Sequence, residues 1–365
     1  MSNSSNNSIG IGIFGCNEIT RVLAPMLCEK GFMLKAIWDK NKEEAQKFAN
    51  ELKIPYFTDK IDDVLLKKDV IFSFVLCQPY FHSHVVVKSL GIGKHVFIVS
   101  PVGLKIDDAM KMVNAANYYP SLITLVNNPL RFLPTFTNMK KLIEEKRIGK
   151  LLLIDISVKI SSLINEKYSW LSDNYMGGGI LNLIGSHIID LIYYLTNKKA
   201  FRVHAIIKTF REQSKEPMRK ITSPDFCCFQ MELEGGLLIT ANLQSDQSNI
   251  FEHNISVLGE SGNLIANSGD LICLHRTEFG DYKEEKLYID IKDTQSPEIK
   301  QIPRMYIKGM NNMIRCLSSA FTPSDSSWNK NSVATAATFE NAFYVQKIIE
   351  ALKKSSVSRS WEKIE

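Results

Sequence analysis

At 365 residues, with 45% hydrophobic and 23% charged side chains, the chain has material for two well-cored domains and is too balanced to be disordered. Its 44 basic and 39 acidic residues leave a formal charge of +5 without a basic block or basic–aromatic interleaving, so neither nucleic acid nor a membrane surface is an expected partner. Seven cysteines, an odd number set mostly inside apolar runs, argue for a reducing, cytoplasmic setting rather than a disulfide framework.

The first eight residues are polar and lack the basic region and apolar core of a secretory leader. Ile9 to Phe14 then reads as a buried parallel strand, and Arg21 to Leu27 as the first turns of a helix. Between them lies Gly15-Cys16-Asn17-Glu18-Ile19-Thr20. Strand, tight glycine turn and helix is the setting in which a dinucleotide pyrophosphate rests on a helix N-terminus, although Asn17 and Thr20 stand where a G-x-G-x-x-G motif has its second and third glycines. Phe32 to Asp39 is a second strand ending in an acid, 39 − 15 = 24 positions after the turn glycine. That is near the roughly 20 expected of a carboxylate that accepts from an adenosine ribose. Asp39 favours NAD over NADP, while Lys40 offers a cation to a 2′-phosphate; the bland reading of Asp39 is a turn residue.

Helical spacing follows over Glu43–Leu52 and Asp62–Leu66, then the apolar strand Val70–Leu76, closed by Cys77-Gln78-Pro79. His82–Leu90 is helical, and His95–Val99 is the next strand, ending at Ser100-Pro101. Such alternation implies a parallel sheet with ligands at the strands' C-terminal ends, so Gly15, Asn17, Thr20, Asp39, Lys40, Gln78, Pro79, Ser100 and Pro101 are expected in one crevice. His82 and His84, two apart on a helix, point to different faces, and no metal site is expected. Cys227 and Cys228 read as one inward and one outward strand position.

After a helix over Asp107–Asn117 and a strand over Ile123–Val126, a helix spans Thr135–Glu145. The pattern then changes to strands at Leu151–Val158, Phe201–Phe210, Phe226–Leu233, Leu237–Leu243, His253–Val257 and Lys286–Ile291. Few helices intervene, so this sheet is expected to be mainly antiparallel and open on one face. One helical segment interrupts it, Gly177-Gly178-Gly179 followed by Ile180 to Leu191. Leu183, His187 and Asp190 share one face of that helix, with Asn182 and Ser186 as a neighbouring pair. His187 is suited to proton transfer near neutral pH, but from spacing alone the reading as a histidine satisfied inside the interdomain packing prevails. Helices at Met305–Phe321 and Val333–Leu352 close the chain, the second with a small-residue face at Ala334, Ala337 and Thr338, and Trp361 is expected to dock.

Taken together, Leu90-Gly91-Ile92-Gly93-Lys94, Leu130-Arg131-Phe132-Leu133-Pro134, Met176-Gly177-Gly178-Gly179 and Ile188-Ile189-Asp190-Leu191 resemble the Gfo/Idh/MocA oxidoreductases, in particular their animal branch of glucose-fructose oxidoreductase domain-containing proteins. The resemblance implies a Rossmann parallel-sheet domain, 1–126, binding NAD or NADP, and an open-faced, mainly antiparallel sheet domain with covering helices, 127–365. It also implies hydride transfer with a sugar-like or polyhydroxy small molecule, with the open sheet face suited to a homodimer or higher homo-oligomer. Two family residues are replaced. The lysine of the family's Glu-Lys-Pro corresponds to Ser100, and the aspartate four residues before the helix histidine corresponds to Leu183. His187 is kept and becomes the expected acid/base, with Ser100 as a neutral hydrogen-bonding helper. The alternative is a catalytically lapsed dinucleotide-binding protein acting as a binding or regulatory module.

Overall fold

The computed structural model describes residues 9–164, 168–213, 219–246, 251–276, 281–291, 302–321 and 329–364; the N-terminal octet read above lies outside them. The chain divides into two compact units, Met1–Pro129 with Ile307–Phe343, and Leu130–Tyr306 with Tyr344–Glu365. The division differs from the expected break at 126/127, because residues 307–343 belong with the first unit rather than the second.

In the first unit the strands are β1 (Gly10–Phe14), β2 (Met33–Trp38), β3 (Phe57–Thr58), β4 (Phe72–Val75), β5 (His95–Val99) and β6 (Thr124–Asn127). They alternate with α1 (Glu18–Glu29), α2 (Lys42–Leu52), α3 (Ile61–Leu65), α4 (Pro79–Gly91) and α5 (Ile106–Tyr118). The sheet order is β3-β2-β1-β4-β5-β6, and every pair is parallel. Sheets of this kind are covered on both faces, which is why β1, β4 and β5 read as mostly apolar runs, Ser73 and His95 apart, and are buried at every position. Strand order reverses between β1 and β4, the switch point where ligands bind in open parallel sheets.

The second unit holds α6 (Pro134–Glu144), β7 (Leu151–Ser161), α7 (Ser186–Thr196), β8 (Ala200–Lys208), β9 (Phe226–Leu233), β10 (Leu238–Asp246), β11 (Glu252–Gly259), β12 (Gly262–Asn267), β13 (Asp270–Arg276) and β14 (Tyr282–Tyr288). Helix α8 (Arg304–Ala320) begins in this unit and passes into the first, and α9 (Phe339–Ser358) returns to this unit at Tyr344, before β15 (Glu362–Lys363). The nine strands run β14-β13-β12-β11-β7-β10-β9-β8-β15, antiparallel except for β7 with β10. Alternate residues of β11 are buried, the signature of a sheet with one covered face. Cys227 is buried and Cys228 half-buried, the inward and outward positions expected of neighbours on a strand.

The structure corrects several expected elements. The hairpin β12–β13 goes unread from the sequence, although its turn carries a Ser-Gly pair with Ser268 and Gly269 both at positive φ. The last strand of the series lies at Tyr282–Tyr288, upstream of the expected 286–291. The final helix begins at Phe339, not Val333. Thr338 and Asn341 cap its start reciprocally, residues 334–336 form a turn and bend, and Ala337 makes a single antiparallel bridge, its carbonyl accepting from Val126 N–H at 2.9 Å, so 334–338 is not a helix face. Trp361, expected to dock, remains 40% exposed, with the Arg202 guanidinium 4.8 Å from its ring centre. The segment Asn174–Thr196 is apolar and long enough to cross a bilayer, yet 83% of its most apolar window is buried in the protein, the situation of a core helix.

Candidate functional site

In the first unit the residues around Gly15 build one turn at the β1/β4 switch point. Gly15 has φ +121, and a Cβ on it would lie 2.5 Å from the Cys77 backbone nitrogen, so only glycine lets β1 turn this close to the end of β4. Asn17 caps α1: its Oδ1 accepts from Thr20 N–H at 3.1 Å and its Nδ2 donates to Leu76 O at 2.6 Å, tying the turn to β4. Thr20 is fully buried and donates its hydroxyl to Gly15 O at 2.7 Å. The residues that replace the motif's later glycines therefore spend their side chains on the frame of the turn. The amides at the first two positions of α1, Glu18 and Ile19, have no acceptor within the helix and remain available to an anion.

Asp39, at the end of β2, accepts from Cys16 N–H on Oδ2 and from Asn41 N–H on Oδ1, each at 3.0 Å. Those bonds fix the carboxylate beside the turn and leave it acceptor capacity for hydroxyl donors. Burial, followed by the Asp39 charge, pushes the Cys16 thiol up, so it stays protonated and unreactive at neutral pH. Lys40 donates to Gln78 Oε1 at 3.3 Å, while Gln78 and Pro79 form the N-cap and first residue of α4. At the end of β5, Ser100 Oγ donates to Asn128 Oδ1 at 3.2 Å, and Pro101 follows through a cis peptide bond. The neighbouring Asn127 Oδ1 is buried without a hydrogen-bond partner. His82, fully buried, reaches Cys77 O at 2.8 Å and Val102 O at 3.2 Å, locking together the chain leaving β4 and β5; burial brings its pKa down to about 4. The nine residues expected here lie on the β1–α1 turn, just after β2 and β5, and at the start of α4.

His187 lies in the first turn of α7 in the second unit, behind the π-helical turn Leu181–Gly185. The expected α-helix from Ile180 therefore has an extra residue in one turn, a device often found at functional sites, and Leu183 and His187 do not keep ideal α spacing. Asn182 Nδ2 donates to Gly178 O at 2.8 Å and anchors the π turn on the glycine segment. His187 is 8% exposed, and burial followed by the charge of His253 lowers its pKa to about 4. Its ring centre lies 5.3 Å from that of Tyr306 on α8, and His253 on β11 lies 6.5 Å beyond Tyr306. Neither ring nitrogen of His253 has a hydrogen-bond partner, nor does the Tyr306 hydroxyl. Burial lowers the His253 pKa to about 4 and raises that of Tyr306, so all three groups are neutral at pH 7.

Asp190, three residues on from His187, is not available for chemistry. Arg131 grips it through two bonds, Nε to Oδ2 at 2.8 Å and Nη2 to Oδ1 at 2.7 Å, both side chains buried. Sequence spacing brings Asp190 onto the helix of His187 but carries no sign of Arg131, 59 positions upstream, as its partner. Tyr306 and His253 were likewise missed. The only local signal for His253 is its inward parity on a strand, which any core residue would share. Among the described residues no group of three or more His, Cys, Asp or Glu side chains is placed to hold a metal ion.

Both units have counterparts among known proteins. Residues 9–125 match the family described as an oxidoreductase family with an NAD-binding Rossmann fold, and residues 136–265 match the GFO/IDH/MocA C-terminal domain. The chain is 37% identical to mouse glucose-fructose oxidoreductase domain-containing protein 1, over 97% of this chain and 92% of that protein. Among solved structures, levoglucosan dehydrogenase in complex with NADH superposes with a TM-score of 0.81 at 16% identity, covering 98% of this chain and 99% of the other. A super-repressor mutant of Gal80p from Saccharomyces cerevisiae superposes with a TM-score of 0.78 at 16% identity, covering 98% of each chain. The parallel sheet with its glycine turn, the open-faced sheet in one unit with the helix that carries His187, and a relationship spanning nearly the whole length show that this chain belongs to the Gfo/Idh/MocA oxidoreductase family.

Proposed function

We propose that the chain binds NAD(H) at the β1–α1 turn and acts as an oxidoreductase on a sugar-like or other polyhydroxy substrate, with His187 as the acid/base. The single observation that carries the reading is the Gly15 turn, closed so tightly onto Cys77 that a Cβ is excluded, with the first amides of α1 and the fixed Asp39 carboxylate beside it. Glu18 and Ile19 amides would hold a pyrophosphate, and Asp39 would accept from ribose hydroxyls. Asp39 also repels a 2′-phosphate, and Lys40 is tied to Gln78, which together favour NAD over NADP. The cofactor, when bound, supplies the hydride acceptor. His187, neutral at pH 7, takes the proton from the substrate hydroxyl on a ring nitrogen, and Ser100 offers a neutral hydrogen bond where the family has a lysine. NADH-complexed levoglucosan dehydrogenase shares the fold and supports the substrate class by likeness alone.

A second reading, dinucleotide binding without turnover, is favoured by a specific observation. Ser100 turns its hydroxyl to Asn128, Leu183 carries no charge, and burial makes the imidazolium of His187 costly. The Gal80p likeness is consistent with a repressor-type use of the same fold. Titration of the purified chain with NADH and NADPH, followed by a polyol and sugar panel, separates these readings. Binding with turnover that falls about 10²-fold in His187→Ala supports the first. Binding without turnover, rescued by Ser100→Lys with Leu183→Asp, supports the second, and no binding of any nicotinamide dinucleotide overturns both.

A further inference from the structure

Two contacts bring the first turn of α4 against the chain that leaves β2. Phe81 meets Trp38, the last residue of β2, edge to face with ring centres 5.3 Å apart and planes at 74°, and Lys40 Nζ donates to Gln78 Oε1 at 3.3 Å. Asp39 stands between Trp38 and Lys40 on one segment, and Tyr80 stands between Gln78 and Phe81 on the other, so the two contacts bracket this pair. Phe81 packs against the buried core that contains Trp38 and meets the ring of Tyr80, with centres 5.2 Å apart and planes at 85°. In a perpendicular pair at most one face of the Tyr80 ring is used. Tyr80 is 64% exposed, so a ring face stays open to solvent on the segment opposite Asp39.

An open aromatic face near a carboxylate suited to ribose hydroxyls fits a purine base, which stacks on such a ring without needing a hydrogen-bond partner. Resting on the dinucleotide reading, we propose that Tyr80 is the platform on which the adenine ring of the bound dinucleotide stacks. It is then the residue by which the chain separates a dinucleotide from a nicotinamide mononucleotide. Phe81 and Trp38 hold the platform at the end of β2 and leave its outer face unspent. Exposure does not single out Tyr80, since Tyr118 on α5 is 78% exposed; its place opposite Asp39 does. AMP, which carries both the ribose and the base, is by the same chemistry a ligand in its own right and competes with NADH.

The test titrates the full chain with NADH, with reduced nicotinamide mononucleotide, which lacks the adenylate half, and with AMP as a competitor. Tyr80→Ala should weaken NADH by about fivefold to a hundredfold, the scale of stacking one base, and leave the mononucleotide unchanged. Tyr80→Phe, which keeps the ring face, should recover most of that loss. In the unmodified protein AMP should displace NADH competitively, a readout that needs no variant to fold. Parental NADH affinity in Tyr80→Ala, an equal loss for NADH and the mononucleotide, or failure of AMP to displace NADH overturns the assignment of Tyr80 while the dinucleotide reading stands. A parent chain that binds no NADH overturns both.

Discussion

Replacing His253 with leucine should make the protein markedly less sensitive to acid. The imidazole is 1% exposed, neither nitrogen has a hydrogen-bond partner, and its surroundings are the rings of Phe136 at 5.8 Å and Tyr306 at 6.5 Å. Burial lowers its pKa from 6.5 to about 4. Below pH 6.5 the unfolded chain therefore binds a proton that the folded chain refuses, so the stability associated with this residue is complete above 6.5 and is lost as pH falls toward 4. Linkage puts the loss at about 2 kcal/mol by pH 5, against a few tenths at pH 7. Leucine removes that titration, and relief of the repulsion on His187 acts in the same direction. Urea unfolding of both proteins at pH 7 and pH 5 is the assay. The stability difference between variant and parent should move by about 2 kcal/mol in the variant's favour on going to pH 5, whatever the packing cost common to both pH values. An unchanged difference would mean that His253 titrates normally and that its buried setting is wrong.

Gly15→Ala should abolish NADH binding and cost about 2–4 kcal/mol in urea unfolding, because alanine is strained at φ +121 and its Cβ meets the Cys77 backbone. A variant that still binds NADH with unchanged affinity would remove the turn from the site. Asn17→Gly, which restores the second glycine of the motif, should lower stability by about 1–2 kcal/mol through loss of the bonds to Leu76 and Thr20, without weakening NADH binding. Arg131→Met should destabilise by about 3–5 kcal/mol by stranding the Asp190 carboxylate, and adding Asp190→Leu should recover much of that loss; additive losses in the double variant would refute the buried-pair account.

The parallel sheet was legible because its strands are covered on both faces, so β1, β4 and β5 announce themselves as apolar runs with turn residues at their ends. The open sheet was harder. Its strands alternate, and the alternation located Phe226–Leu233 to the residue, but in β12–β13 the outward positions include Ile265, Ile272 and Leu274, so no clean alternation of apolar and polar marks the pair and it was passed over. Ala334 to Thr338 has helical composition yet forms a turn and a single bridge, because the bond from Val126 to Ala337 and the cap at Thr338 outweigh the weak local preference of alanine for helix.

What the sequence determined by itself was the set of local commitments: a glycine that only a left-handed turn requires, a carboxylate at the next strand's end, a histidine behind three glycines, and a serine where the family has lysine. Local chemistry suffices for these because each depends on the backbone within a few residues. The tertiary structure decided what those groups are worth. It showed Asn17 and Thr20 building the turn, Asp190 neutralised by Arg131, His187 held neutral beside Tyr306 and His253, and Tyr80 held against Phe81 at the start of α4. Burial and charge pairing arise between residues tens to hundreds of positions apart, and a side chain's protonation and reach follow from those neighbours rather than from its place in the chain.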